Sequence, residues 1–306
     1  MLSPRPGLGH TVHMVRRGRP PLGLPTARSI RLGRELRRLR EQRVLSQSDV
    51  VGRTGGVISK LSRIESGDRT ISEADLDQLL ALYGLASGSA RWDRLTALAV
   101  SATAKEWWDE YGALIPPDLV DRLGLEDSAV RISTYGTTFI PDLLQTSAYA
   151  RALTVGEQRS SSSTRLDESV EIKLRRQAIL SREAPTVSLD ALLDEAALRR
   201  CVGGESVLAE QLAYLVKVGR SPNVTLRVLP FSQGAYTSAA VSFELYDLDV
   251  RSEAAPDVAC LVHPGGCLYV EDTDGVRRFS ESYEDWRARA LSVSESVEFI
   301  EQLARR

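Results

Sequence analysis

The sequence predicts an all-α N-terminal domain of five helices, followed by a larger α+β domain with a small sheet. Three observations predict it. Apolar residues recur at helical spacing from Ile30 onward, two-residue alternation appears only beyond Pro116-Pro117, and 306 residues are enough for about two domains. At 42% hydrophobic and 26% charged, the composition matches an ordinary globular chain and excludes a disordered or membrane-embedded one. No stretch approaches the roughly 18 apolar residues that cross a bilayer, and the start lacks the apolar core of a signal peptide. The expected location is the cytoplasm.

Residues 1–28 are dense in Pro and Gly, which interrupt helix and strand alike, so they are expected to form a disordered basic arm. Leu32, Leu36 and Leu39 then lie on one face of a first helix that runs to about Arg43. Ser46-Gln47-Ser48-Asp49 is a capping-box sequence and opens a short second helix. Gly55-Gly56 interrupts it, and Val57 to Ile64 forms a third helix ending at Ser66-Gly67, where Gly67 can adopt the left-handed cap conformation. Ser72 caps a fourth helix bearing Leu76, Leu79, Leu80 and Tyr83, and Gly84 stops it. A fifth begins near Ser89 and runs toward Tyr111. The expected division is a five-helix domain at 29–90, a helical connector at 91–117 and an α+β domain at 118–306.

Within that last region, Leu166, Val170, Leu174 and Ala178 mark one amphipathic helix. Leu208, Leu212 and Leu215 mark another, and Val293, Val297 and Ile300 a third. Val187/Leu189, Val224/Leu226/Val228 and Val241/Phe243/Leu245 alternate with polar neighbours as half-buried strands do.

The net charge of −2 conceals an asymmetry. Residues 1–43 carry eleven Arg against Glu35 and Glu41, a balance of +9, so the remainder carries −11. A basic leading segment on an acidic body suits phosphate attraction at one end. Cys201, Cys260 and Cys267 are odd in number and lack metal-ligand spacing, so they are expected as free thiols, with no metal and no cofactor.

The short helices around Gly55 have the layout of a helix-turn-helix, in which a braced second helix lays its N-terminal half into the major groove. The brace would be Leu45, Val50, Val57 or Ile58, Leu61 and Ile64, and the exposed face offers Gln47, Ser59, Lys60, Ser62 and Arg63. Leu45-Ser46-Gln47, Gly55, the Ser-Arg-Ile-Glu-x-Gly run at 62–67 and Leu82-Tyr83-Gly84 resemble the Xre/Cro-type, lambda-repressor-like helix-turn-helix domain. That resemblance implies binding of double-stranded DNA, with Gln47 near the start of the second helix, Ser59, Lys60 and Arg63 on the recognition helix, and Glu65 as a structural acid orienting neighbouring helices; the apolar Val57 and Ile58 are read as contacts to thymine methyls. Val57 and Ile58 replace residues usually polar in that family, and Val44 replaces the usual Gly.

EWWDEYGALIPP at 106–117, the segment 123–153, LDEAALRRCVGG at 193–204, the segment 211–236 and LYVED at 268–272 resemble the C-terminal domain of WhiJ-like regulators of actinobacteria. Asp142 stands where that family usually has Gly. The resemblance implies an antitoxin-like transcription regulator, often encoded beside a small acidic partner protein. Symmetric half-sites imply a homodimer. An enzyme would have to be assembled from Asp190, Asp194, Glu195 and His263, with neither a nucleophile elbow nor a phosphate loop, so no catalytic residue is assigned. Trp107, Trp108 and Tyr111 could line a ligand pocket but are expected as core. A protein-interaction adaptor that keeps the helix-turn-helix scaffold, or a small-ligand sensor, is the alternative reading.

Overall fold

A computed structural model describes residues 27–102, 106–157, 163–182, 186–235, 241–248, 256–263 and 266–305. The arm expected over 1–28 lies outside them except for Ala27 and Arg28, which already belong to the first helix.

Five helices form the N-terminal unit: α1 (Ala27–Gln42), α2 (Gln47–Thr54), α3 (Ile58–Glu65), α4 (Glu73–Leu82) and α5 (Ala90–Ser101). Their caps are the predicted ones. Ser46 and Asp49 close a capping box on α2, Ser72 caps α4, Ser89 caps α5, and Gly67 and Gly84 have φ of 78° and 77°. Leu36, Leu76 and Leu80 are fully buried at the centre of one apolar cluster with Val50, Leu61, Ile64 and Tyr83. Gly33 lets α1 approach α3: a Cβ there would lie 2.4 Å from the Ile64 carbonyl oxygen and 2.6 Å from that of Glu65. α5 ends at Ser101 instead of running to Tyr111, and Leu95 on it is buried in the N-terminal cluster. Residues 107–114 are a separate 3₁₀ segment broken at Gly112, whose φ is 48°.

The larger region begins with α6 (Pro117–Ser128), where Pro117 occupies the first turn that has no use for its missing N–H. It continues with β1 (Arg131–Gly136), α7 (Ser147–Glu157), α8 (Ser163–Arg176), β2 (Ser188–Asp194), α9 (Glu195–Arg199), α10 (Glu205–Val218) and β3 (Val224–Leu229). β4 (Phe243–Asp247), β5 (Val258–His263), β6 (Gly266–Val270), α11 (Thr273–Arg289) and α12 (Val293–Ala304) complete it. The six strands form one mixed sheet in the order β3-β2-β1-β4-β5-β6, parallel through β1 and antiparallel beyond it.

Alternation gives the sheet two cores. Leu189, Leu226, Tyr246 and Cys260 face one side, with Tyr149 of α7, Leu215 of α10 and Ile300 of α12. Tyr135, Leu192, Phe243 and Ala259 face the other, against Tyr283 and Trp286 of α11. Trp108 joins Ile115, Leu123 and Ile172 in a smaller cluster, while Trp107 and Tyr111 pack edge-on beside it with Arg175 over both rings. These aromatics are core and its border.

The two units meet where α1 packs on α6. Arg28 donates to Asp127 at 3.1 Å, Arg31 to the Ser128 carbonyl at 2.9 Å, and Arg34 to Glu271 just beyond β6. Part of the leading positive charge is therefore committed to holding the molecule together.

Candidate nucleic-acid interface

α2 and α3 are short because glycines bracket them. Gly55 (φ 75°) and Gly56 (φ 105°) reverse the chain between them through conformations that disfavour a Cβ. Beneath the turn, Val50, Leu61 and Ile64 are buried and Leu45 is half-buried. Val57 and Ile58 are not part of this brace: they are 60% and 48% exposed at the N-terminal end of α3. Ser59, Ser62 and Arg63 are also exposed. The face that a groove would receive is therefore open, and it combines two branched apolar side chains, two hydroxyls and a guanidinium.

Two of the predicted contact residues are engaged within the protein. Lys60 is half-buried, and its Nζ lies 2.7 Å from Asp75 on α4. That hydrogen bond, with one from Ser72, holds the Asp75 carboxyl below its ordinary range. Gln47 is the first residue of α2, and its Nε2 donates to Glu65 at 2.8 Å. Glu65 in turn accepts from Arg40 twice, at 2.6 and 3.0 Å, both side chains being almost fully buried. The Glu65 hydrogen bond leads the influences that raise Arg40 above its usual pKa. Arg40 also donates to the Leu45 carbonyl at 2.7 Å. One carboxylate thus joins α1, α2 and α3 and fixes the angle at which α3 is presented.

The sequence reading overlooked Arg53, in the last turn of α2, and Arg69, just behind α3. Both are exposed. Their signal was available: Arg53, Lys60, Arg63 and Arg69 are four cations within seventeen residues whose opposing carboxylates are Glu65, already paired, and Asp68.

The residues from which an enzyme would have been built lie on β2, at the start of α9 and at the end of β5. Asp190 pairs with Arg227 at 3.1 Å, Asp194 caps α9, Glu195 accepts from the Phe231 amide at 2.8 Å, and His263 is exposed at the end of β5. Elsewhere in the larger region lies a dense buried ionic group. Arg122 is bidentate to Glu244, Arg176 is bidentate to Glu126, and Asp142 accepts from both arginines at 3.0 and 2.8 Å. Burial opposes ionisation of Asp142, yet Arg176 and Arg122 together hold it well below the usual carboxylate range.

A short helix braced from below, turned on glycines and open at its N-terminal half defines a helix-turn-helix protein, and the family model described as "Helix-turn-helix domain" matches residues 31–92. This points to a DNA-binding regulator. Residues 119–302 match the model described as "Domain of unknown function (DUF5753)", and the chain belongs to that family. No curated protein and no solved structure matches it. Among the described residues no helix is long and apolar enough to cross a membrane.

Proposed function

We propose that the protein is a sequence-specific transcriptional regulator that binds double-stranded DNA as a homodimer through α3, while its C-terminal domain reads a partner protein or signal in an antitoxin-like manner. On this reading residues 29–90 are the DNA-binding domain, 91–117 the connector and 118–306 the regulatory domain, and the molecule has no catalytic site. The observation that carries it is the exposed outer face of α3 above a buried brace. Ser59 and Arg63 are the polar base-edge or phosphate contacts. Val57 and Ile58 suit the methyl groups of thymine, and Gln47 stands at the start of α2, where backbone N–H groups approach phosphate. Lys60 must leave Asp75 to reach DNA, so it contributes less than Arg63.

The exposed Val57 and Ile58 also favour a second reading, a protein-interaction adaptor that keeps this scaffold, and salt separates the two. DNA recovered by genome-wide mapping is titrated by fluorescence anisotropy. Affinity for it should fall steeply, on the order of 10³-fold or more between 50 and 200 mM salt if six or more phosphates are contacted. Arg63→Ala should weaken it about ten-fold or more, with Lys60→Ala weaker in effect. If the double variant binds as tightly as wild type, α3 is not the recognition helix.

A further inference from the structure

Two of the three cysteines lie side by side on the sheet. Cys260 on β5 stands opposite Tyr269 on β6, and Val262 opposite Cys267, so Cys260 and Cys267 are diagonal neighbours on the same face. The two thiols are close enough for each to shift the titration of the other, and the Tyr269 side chain acts on Cys267 as well. Cys260 is fully buried, whereas Cys267 is half-buried on the edge strand. Cys201 is exposed in a different part of the chain. We infer that Cys260 and Cys267 are an oxidation site for a hydroperoxide, in which Cys267 is attacked first and Cys260 closes an intramolecular disulfide.

The asymmetry of the pair assigns the roles. The interaction with Cys260, helped by the nearby Arg122 guanidinium and by Tyr269, outweighs burial and brings the Cys267 thiol down to about 7. The same interaction, then burial and Glu244, push Cys260 up. Cys267 is thus the more readily ionised and the more accessible sulfur, the combination that peroxide attacks. Its sulfur attacks one peroxide oxygen, the O–O bond breaks, and the departing oxygen takes a proton and leaves as water or alcohol. Cys260 then loses its proton and attacks the sulfenic sulfur; the S–S bond forms, the S–O bond breaks, and hydroxide leaves with that proton as water. Two thiols are oxidised and one peroxide is reduced.

Diagonal partners in an antiparallel pair stand roughly 7–8 Å apart at Cα, slightly beyond the span a disulfide tolerates. Closing the bridge therefore requires movement, and among the described residues no strand pairs with the outer side of β6. β6 packs on α6, which carries α1, and the residue just past β6 is Glu271, the partner of Arg34. The strand that carries Cys267 thus packs on the helix that docks the N-terminal unit.

This inference is independent of the DNA-binding reading, because its test needs no DNA. The full chain carrying Cys201→Ser is treated with tenfold hydrogen peroxide near pH 8, then alkylated, weighed intact and mapped by peptide. The expected product has lost about 2 Da through a Cys260–Cys267 bridge and regains both alkylation sites after reduction. In Cys260→Ser, Cys267 should accumulate as a sulfenic acid trapped by dimedone, whereas in Cys267→Ser the Cys260 thiol should stay reduced. The inference is overturned if the Cys201→Ser chain keeps both thiols reduced under these conditions, or if Cys260 oxidises as readily without Cys267.

Discussion

At the scale of single residues, Val44 and Asp142, each standing where a glycine was expected, have opposite characters. Val44 stands in the left-handed region at φ 54° and is 90% exposed, so its branched side chain is strained without contacts in return. Such a residue in that region costs on the order of 1–3 kcal/mol, while glycine adopts it freely at some loss of unfolded-state entropy. Val44→Gly should therefore raise stability by about 1 kcal/mol, seen as a higher urea midpoint with unchanged slope. A lower midpoint would mean that the tight turn between α1 and α2 is not held at this φ in solution. Asp142 is the other case. It starts a 3₁₀ turn with its carboxylate between Arg122 and Arg176, where it offsets two like charges in a site shielded from water.

At the scale of elements, the α1–α3 crossing is set by Gly33. Any Cβ there meets backbone oxygens that no rotamer change can move, so Gly33→Ala must push the helices apart. It should destabilise the N-terminal unit by about 2 kcal/mol and weaken DNA binding through the altered presentation of α3. A change under about 0.5 kcal/mol would show that the helices cross at a greater distance. Much of this unit was legible in the sequence because its signals are local: Ser46, Ser72 and Ser89 cap where expected, and Gly67 and Gly84 close helices as expected. The α+β class of the second region, three of its strands and three of its helices were legible from periodicity as well. β5 was missed because Val258-Ala-Cys-Leu-Val is a continuous apolar run without alternation, and β1 because Thr134 is buried where a polar residue suggests exposure. α11 was missed although Val276, Phe279, Tyr283 and Trp286 share one face, since charges dominate the rest of it. At the interface, the open positions of Ser59 and Arg63 followed from spacing. The ties of Lys60 to Asp75 and Gln47 to Glu65 did not, because a pairing between helices leaves no trace in local pattern.

At the scale of the whole molecule, α1 has two working faces: leucines toward the N-terminal core, and arginines toward α6 and β6. Glu106 lies in that joint, nearly fully buried. Its Oε1 has no hydrogen-bond partner among the described residues and sits 3.7 Å from Arg28 Nε, while Arg28 and Arg182 both pair with Asp127. Burial, with Asp127 and Asp109 adding to it against Arg28, pushes the Glu106 carboxyl up from an ordinary 4.5 to about 7. A carboxyl raised in the folded state is neutral in both states below about pH 4.5 and therefore costs nothing there. As pH rises from 4.5 toward 7, the unfolded chain ionises this group first. The fold then loses stability, up to an upper limit of about 3 kcal/mol once pH exceeds 7. Other half-buried carboxylates, such as Asp190 and Asp257, are raised as well, so the comparison must be made against a variant. Glu106→Gln removes the charge and should be more stable than wild type at pH 8 and nearly equal to it at pH 5. Urea midpoints of the two proteins should therefore diverge as pH rises. Parallel midpoints across that range would mean that Glu106 is solvated in solution and that the two units are not docked as described.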